Sequence, residues 1–448
     1  MSVTVETIAT DLPVAERVLK VRGGRRLEGN VKIGGAKNAA LKAMAACLLT
    51  DDEVRLDNMP MISDVFSMAE LLRVFGAEVE IAPQRETVTV RAEKIARTDA
   101  PAEHFKATRA SVVVVGPMLA RAGEISFADP GGDQIGTRPI DIHLDGFRRL
   151  GAEITSIGST VVAKAGALSG RPVYLDYPTH TGTENILMAA CLAQGTTVIN
   201  NACAEPEVIW LGEMLNRMGA RISGLGTPTI VIEGVGKLRG TSVVCIPDRL
   251  EAGTFAIASV ITGGEVSLEG VIESHMLPVT EKLRQIGAKL WFGNDSMLVK
   301  PARERRAVKI QTLPFPGFPT DQQATMLPLL TQCNGTSILQ ERVYENRLLY
   351  VEELKKMGAQ VDTPREDGVG NPRFPTAIVY GPTRLHGAAV TALDIRAGVS
   401  LVLAGLVADG ETVISDVDHI DRGYANFVDK LNDLGADLVD TQPARLGR

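Results

Sequence analysis

Six charged residues at matching positions along the chain point to the binding of an anionic ligand. Each lies 14 to 17 residues before the central residue of a short strand-like run: Lys37, Arg109, Glu184, Glu251, Asp321 and Arg396. This spacing predicts that each sits at or just before the N-terminus of a helix, where unpaired N–H groups create a positive potential. Capping by itself can account for the acidic residues, but a basic residue there opposes the helix dipole. Lys37, Arg109 and Arg396 therefore predict a bound phosphate or carboxylate.

The elements that position these residues come from a sixfold internal repeat. A Gly-Ala tag closes each unit, with its glycines 68 to 77 residues apart at Gly76, Gly151, Gly219, Gly287, Gly358 and Gly435. A β-type run marks each unit a second time, centred at Val54, Ile125, Val198, Val266, Ile338 and Val413. In each unit a helix of small apolar residues leads to the strand, and an amphipathic helix then ends at the tag glycine. Glycine at that position suits a left-handed C-cap. Alternating helices and strands predict a mixed α/β fold, and three units per half predict two similar domains with a ligand cleft between them.

Composition limits the class of partner. The 448 residues carry 47 basic and 54 acidic side chains, a net charge of −7, and 4% aromatic residues. We therefore expect no nucleic-acid partner, and no apolar run approaches the ~20 residues of a membrane-spanning helix. The N-terminus lacks a secretory signal and the five cysteines form no CxxC pair, so we expect a cytoplasmic protein with reduced thiols and no structural metal.

Several long motifs resemble the UDP-N-acetylglucosamine 1-carboxyvinyltransferase family of enolpyruvyl transferases. They include GGAKNAALKAMAACLLTDDEVRLDNMPMISDV, PGGDQIGTRPIDIHLDGFRRLGAEI, FPGFPTDQQA, VYENRLLYVEEL, LDIRAGVSLVLAG and HIDRGY, and the resemblance spans residues 18–435. It implies two inverse α/β barrels, each built from three βαβαββ repeats. It also implies a first domain at 37–246 and a second at 247–448, with residues 1–36 supplying an N-terminal tail and strands that join the second domain.

The same resemblance implies the reaction and the residues that perform it. Phosphoenolpyruvate would give its enolpyruvyl group to the 3-hydroxyl of UDP-N-acetylglucosamine, phosphate would leave, and no metal or organic cofactor would be needed. The implied catalytic residues are Lys37, Arg396, the proton donor Asp133 and the base Asp321. The implied substrate-binding residues are Lys37, Asn38, Arg109, Arg138, Pro139, Ile140, Asp141, Ile142, Tyr177, Pro178, Thr179, His180, Asp321, Val343, Arg396 and Arg422. We expect Arg138, Arg396 and Arg422 to clamp the anionic groups, because a guanidinium is a planar, forked donor.

Three positions depart from the family pattern. Asp133 stands where most members carry Cys in a PGGC loop, whose neighbouring glycines indicate a mobile lid. Because fosfomycin alkylates that thiolate, Asp133 predicts an enzyme insensitive to the drug. The run from Tyr177 to Thr181 replaces Val-Gly-type residues, and Lys42 stands where Pro is usual.

These departures leave alternatives open. The chain could act on another nucleotide sugar, or bind UDP-sugars without catalysis. An enzyme acting on shikimate 3-phosphate is a more distant alternative, because this chain has GAKNAAL where that relative carries a Gly-Ser-Lys-Ser type motif. The sequence predicts no particular oligomeric state.

Overall fold

The computed structural model describes residues 17–133, 135–364 and 375–442. Residues 1–16, which include the predicted N-terminal tail, lie outside the described residues. Within the described residues, no helix is long and apolar enough to span a membrane.

The described strands are short, most of them three to six residues long. They are β1 Leu19–Arg22, β2 Glu28–Lys32, β3 Glu53–Asp57, β4 Glu78–Ala82, β5 Thr87–Arg91, β6 Glu124–Ala128, β7 Glu153–Ile157, β8 Thr160–Lys164, β9 Pro172–Tyr174, β10 Thr196–Asn200, β11 Arg221–Ser223, β12 Thr229–Glu233, β13 Ser242–Val244, β14 Glu265–Glu269, β15 Lys289–Phe292, β16 Ser296–Lys300, β17 Lys309–Gln311, β18 Gly335–Gln340, β19 Val361–Asp362, β20 Thr376–Gly381, β21 Ala389–Thr391, β22 Glu411–Ser415 and β23 Asp437–Asp440.

Helices alternate with these strands along the chain. The α-helices are α1 Lys37–Ala46, α2 Ser63–Val74, α3 Ala102–Lys106, α4 Val115–Ala122, α5 Asp141–Arg149, α6 His180–Ala190, α7 Pro206–Arg217, α8 Arg249–Thr262, α9 Glu273–Ile286, α10 Thr320–Thr331, α11 Val351–Lys356, α12 Ile395–Gly405, α13 Asp418–Asp421 and α14 Phe427–Asp433. Short 3₁₀ helices span Cys47–Leu49, Pro83–Arg85 and Arg109–Val114.

The described strands form six sheets that repeat one pattern, as the sixfold repeat predicts. In five sheets a strand runs parallel to the tagged strand, and two further strands follow antiparallel, as in the order β9, β10, β12, β11. In the sixth sheet, β6-β8-β7, a single parallel bridge between Asp99 and Ser126 stands where the other sheets have a parallel strand. The predicted α/β fold class is therefore confirmed.

The glycine tags end six helices, as predicted. All six tag glycines have φ between +90° and +115°, a region that L-residues with a side chain rarely adopt. Glycine therefore lets the chain leave each helix and turn into the next strand.

The core of each half consists of helices enclosed by sheets. Every residue of α12 is buried, and so are residues 249–261 of α8. Helices that are apolar or small on all sides belong inside a fold. One core draws on residues 36–245, and the other draws on residues 19–33 and 252–438.

The chain passes between the halves where residues near 35 and 247 meet. Strands β1 and β2 pair with strands of the second half, whereas β13 returns to pair with β3 of the first half. Gly35 and Pro247 form a bridge at this point. A Cβ at Gly35 would lie 1.8 Å from the carbonyl oxygen of Asn58, so the crossing requires glycine.

Candidate active site

A cavity of about 520 Å³ lies between the two halves and collects nearly all the predicted site residues. It is lined by Lys37, Asn38, Arg109, Asp133, Arg138, Pro139, Asp141, Ile142, Tyr177, Pro178, Thr179, His180, Asp321, Val343, Arg396 and Arg422. Ile140 is the exception, because it directly precedes α5 and packs against the first core. Nine Lys and Arg side chains but five Asp and Glu side chains line the cavity, so it is basic in an acidic protein and suits an anionic ligand.

The buried helices aim their N-termini at this cavity. Lys37 begins α1, Arg109 begins a 3₁₀ helix, and Asp321 and Arg396 are the second residues of α10 and α12. Their backbone N–H groups add to the positive potential of the side chains. Four of the six equivalent charged residues therefore line the cavity.

The other two equivalent residues do not line the cavity. Glu184 is the fifth residue of α6, one turn inside the helix, and is fully buried. Glu251 accepts from the backbone N–H of Gly34 at 2.7 Å and pairs with Lys430 at 2.6 Å. Neither residue caps its own helix; both bind groups brought in from elsewhere in the fold.

A chain of four alternating charges crosses the cavity. Lys37 Nζ lies 2.8 Å from Asp64 Oδ2, and Arg422 Nε lies 3.0 Å from Asp64 Oδ1. Arg422 Nη1 also lies 2.7 Å from Asp133 Oδ1. Burial disfavours a charge on Asp64, but Lys37 and Arg422 outweigh that effect and hold the pKa of Asp64 below its usual range. Burial lowers the pKa of Lys37, a fall that Asp64 opposes.

A second ion cluster surrounds the predicted base. Asp321 Oδ1 lies 2.7 Å from Arg347 Nη2, and Asp321 Oδ2 lies 3.5 Å from Arg396 Nη2. Burial raises the pKa of Asp321, but Arg347 and Arg396 reverse that effect and hold it well below the usual range. Arg396 also packs over the ring of Tyr424. Asp321 is therefore an ionised acceptor fixed between two cations.

Two further guanidinium groups have no carboxylate partner within the described part of the chain. Arg109 donates to the carbonyl oxygen of Pro130 at 3.1 Å, and Arg138 donates to that of Asp133 at 3.4 Å. Burial and the neighbouring Arg138 lower the pKa of Arg109 to about 10. Arg138 has a φ of +45° and packs over the ring of Tyr344. Among the described residues neither guanidinium forms an ion pair with a carboxylate, although the charge of Asp129 acts on Arg109, so the two neighbouring cations can bind an anion.

The loop that carries Asp133 is held by close backbone contact. A Cβ at Gly131 would lie 1.9 Å from the carbonyl oxygen of Lys106, and Gly132 has a φ of +113°. These glycines let the loop pack against the backbone near Lys106. The mobility of the loop stays a prediction.

Three residues offer ligand atoms close enough for a metal ion. His180, Glu205 and Glu207 place these atoms within 4.8 Å of one another. However, Arg249 binds Glu207 at 2.9 Å and Glu205 at 3.1 Å. Because the guanidinium of Arg249 already pairs with both carboxylates, this group is an ion-pair network.

Sequence reasoning missed several charged residues that hold the site together, chiefly Asp64, Arg249 and Arg347. Arg347 lies inside the motif VYENRLLYVEEL and Arg249 lies directly after Asp248, a helix-capping position. Both residues therefore carried a signal in the sequence, because one lies within a motif of the family and the other directly follows a helix-capping residue. Asp64 gave no such signal, because an acid in the first turn of α2 is typical of ordinary helix stabilisation.

Comparisons with known proteins agree with this geometry. Residues 21–431 match the family model described as EPSP synthase (3-phosphoshikimate 1-carboxyvinyltransferase). The UDP-N-acetylglucosamine 1-carboxyvinyltransferase 1 of Caldanaerobacter subterraneus is 47% identical over 92% of this chain and 96% of its own. The corresponding enzyme of Magnetococcus marinus is 47% identical over 96% of this chain and 99% of its own.

Solved structures share the fold. The enolpyruvyl transferase NikO from Streptomyces tendae superimposes with a TM-score of 0.85 at 26% identity, covering 96% of this chain and all of its own. EPSP synthase from Acinetobacter baumannii gives a TM-score of 0.73 at 20% identity, covering 95% of this chain, and shows the fold alone. With its length matched almost end to end by relatives of one kind, the chain belongs to the UDP-N-acetylglucosamine 1-carboxyvinyltransferase family of enolpyruvyl transferases.

Proposed function

We propose that this protein transfers the enolpyruvyl group of phosphoenolpyruvate to the 3-hydroxyl of UDP-N-acetylglucosamine and releases phosphate. This is the first committed step of peptidoglycan synthesis, and we place it in the cytoplasm. The observation that carries the proposal is the convergence of Lys37, Arg396 and Arg422 with the carboxyl groups of Asp133 and Asp321 in one cavity. The donor bears a phosphate and a carboxylate and the acceptor bears a diphosphate, so both substrates suit a basic cavity.

The two carboxyl groups supply the proton transfers. Asp133, protonated, gives its proton to the methylene carbon of the donor while the sugar O3 attacks the neighbouring carbon. The proton of O3 passes to Asp321, and the product of this addition is a tetrahedral intermediate. The methyl group then returns a proton to the carboxylate of Asp133 as the vinyl double bond forms. The carbon–oxygen bond to phosphate breaks, and phosphate leaves with the electron pair and takes up the proton that Asp321 received.

The cations set the order of these events. Arg422 forms an ion pair with Asp133, so an anionic group of the donor would compete with Asp133 for the same guanidinium. When the donor binds Arg422, the ion pair that holds Asp133 is lost. Lys37 and Arg396 would then neutralise the remaining charge of the donor, and Asp64 would keep Lys37 in place.

One alternative has an observation in its favour. The departing run Tyr177 to Thr181 lines the cavity, so the protein could prefer a nucleotide sugar other than UDP-N-acetylglucosamine. Shikimate 3-phosphate as acceptor and a catalytically inactive UDP-sugar binder remain more distant alternatives, because every implied catalytic residue is present.

Release of phosphate tests the proposal. The protein is mixed with phosphoenolpyruvate and UDP-N-acetylglucosamine, and parallel reactions contain other UDP-sugars, shikimate 3-phosphate or no acceptor. We expect phosphate release with UDP-N-acetylglucosamine and none without an acceptor. Faster release with another acceptor would favour the alternative, and no release with any acceptor would contradict the proposed activity.

We also propose that the two halves are the domains predicted from the resemblance, 37–246 and 247–448, with the strands before residue 37 joined to the second. The two separate hydrophobic cores support this division.

A further inference from the structure

A buried network of six alternating charges lies beside the substrate loop Tyr177 to Thr181. Lys42 Nζ lies 3.5 Å from Glu184 Oε2, and Glu184 Oε1 lies 3.1 Å from His180 Nε2. The network then runs from His180 through Glu205 to Arg249 and Glu207. His180 Nδ1 lies 3.1 Å from Glu205 Oε2.

The geometry favours the imidazolium form of His180, whose Nε2 forms a hydrogen bond with Glu184 and whose Nδ1 lies within ion-pair distance of Glu205. Each ring nitrogen faces a carboxylate oxygen at hydrogen-bond distance, and an ionised carboxylate can only accept. A neutral imidazole has one donor and one acceptor, so it can satisfy one of these carboxylates but not both. With His180 as an imidazolium, three cations balance three anions along the network.

The network joins two of the departures from the family pattern. Lys42 on α1 and His180 on α6 both meet Glu184, which is fully buried. Without His180, one oxygen of Glu184 would have no donor, and its other oxygen has no hydrogen bond in the described structure. The two unusual residues therefore act together to neutralise one buried carboxylate.

His180 lies where its charge can affect a ligand in the cavity. It is the first residue of α6, and both its side chain and those of Tyr177 to Thr179 line the cavity. Its bond to Glu205, which directly precedes α7, ties the start of α6 to a second helix. Loss of one ring proton would make His180 neutral and weaken its attraction to both carboxylates, although Glu205 Oε2 would still accept from Arg249 Nη2 at 3.1 Å.

We propose that His180 is a positioning residue that acts as an imidazolium to hold the loop Tyr177 to Thr181, so that loss of its second proton weakens binding of the nucleotide sugar. This inference rests on the proposed function, because it takes the acceptor to be a UDP-sugar.

The direction of the pH effect follows from the surroundings of His180. Burial lowers its pKa, but Glu184 and Glu205 outweigh burial and the opposing Lys42, so the pKa lies above the usual 6.5. Binding of the nucleotide sugar is therefore strongest at low pH, where His180 is an imidazolium, and it weakens as pH rises through the raised pKa of His180.

Several neighbouring groups keep one charge state over this pH range. Burial and Arg109 lower the pKa of His143, on the facing helix α5, to about 3. Burial disfavours ionised Glu207, but Arg249 and His180 lower its pKa to about 2. Burial and Glu205 raise the pKa of Cys203 above its usual range.

The test compares the binding of UDP-N-acetylglucosamine by calorimetry between pH 6 and 9, without phosphoenolpyruvate. We expect the wild-type Kd to rise about 10-fold across this range, as for loss of one hydrogen bond between charged groups. His180→Gln should bind about 10-fold more weakly at pH 6 with no further change up to pH 9. His104→Gln is the matched control, since His104 lies on α3 outside the cavity, and should keep the wild-type profile.

Titration of the His180 ring by NMR in the wild-type protein gives a readout that does not depend on the variant folding. A midpoint above 6.5 supports the inference, and a lower midpoint overturns it. An unchanged pH profile in His180→Gln, or a flat wild-type profile, also overturns it. Absence of UDP-N-acetylglucosamine binding at every pH would contradict the proposed function itself, whereas tight binding without pH dependence would contradict only the role of His180.

Discussion

Replacement of Asp133 by Asn should lower turnover while strengthening donor binding. The change preserves the shape of the side chain, removes the proton donor and cancels the charge that binds Arg422. Loss of a positioned acid typically lowers kcat by about 10² to 10⁴. The proposed mechanism therefore predicts a decrease of that size.

The effect on donor affinity follows from the ion pair. Asp133 Oδ1 lies 2.7 Å from Arg422 Nη1, and the two side chains are 16% and 20% exposed. A hydrogen bond between charged groups contributes about 1.5 to 3 kcal/mol, and partial exposure favours the lower value. Freed from this competitor, Arg422 should bind phosphoenolpyruvate about 10-fold more tightly. Asp64 still holds the other side of the guanidinium at 3.0 Å, so its position should not change.

Steady-state kinetics and calorimetry measure the two effects separately. Phosphate release gives kcat and KM, and titration with phosphoenolpyruvate in the absence of an acceptor, where no turnover is expected, gives Kd for the donor. Asp295→Asn is the matched control, because it makes the same change at an exposed residue that does not line the cavity. Near-normal turnover of Asp133→Asn would refute the role of Asp133 as the acid. Weaker donor binding by that variant would refute the competition for Arg422.

Four further predictions concern the same site and the ion pairs around it. The wild-type protein should gain no fosfomycin adduct by intact mass and show no time-dependent inactivation, because its five cysteines are all buried. Asp133→Cys should stay active and become sensitive to fosfomycin. An adduct on the wild-type chain would contradict the predicted insensitivity. Lys37→Ala and Arg396→Ala should lose most turnover while remaining folded; a large fall in Tm together with normal activity of the folded fraction would instead assign them a structural role. Asp321→Asn should lower kcat by about 10² to 10⁴ and retain part of the UDP-sugar affinity in calorimetry, and turnover close to wild type would remove Asp321 from the mechanism. The pKa of Glu207 is held at about 2, below its usual 4.5, so its ion pair should stabilise the fold above pH 4.5 and lose that effect as pH falls toward 2. The Tm of Glu207→Gln should therefore depend less on pH in this range than the Tm of the wild type. An equal pH dependence of the two Tm values would show that other groups dominate.

The sequence by itself determined the repeat and the fold class, and it named as site residues 16 of the 36 residues that line the cavity. Gly76 and its five equivalents could be recognised because the end of a helix is a local event: a positive φ suits glycine whatever the rest of the fold does. Strands such as β3 and β10 were visible because alternation of buried and exposed side chains depends only on neighbours in sequence. Long motifs placed Lys37, Asp321 and Arg396 together through their resemblance to a family.

Only the tertiary structure decided which charges pair. Asp64 lies 358 residues from Arg422 in sequence but 3.0 Å from it in space, and Arg249 meets Glu207 across the two halves of the chain. Such partners carry no local signal, because an acid near a helix N-terminus looks the same whether it stabilises the dipole or neutralises a distant arginine.

Long-range packing also decided where Glu184 lies in its helix and which strand β13 pairs with. Spacing predicted Glu184 at a helix end, but the start of α6 at His180 buries it one turn inside the helix, where Lys42 and His180 supply its counter-charges. Strand β13 is the last strand of the first half in sequence, and it completes the sheet of β3, the first strand of that half, before the chain crosses to the second half near Pro247. Periodicity fixes what each segment becomes, whereas long-range packing and the need to neutralise buried charge decide which segments meet.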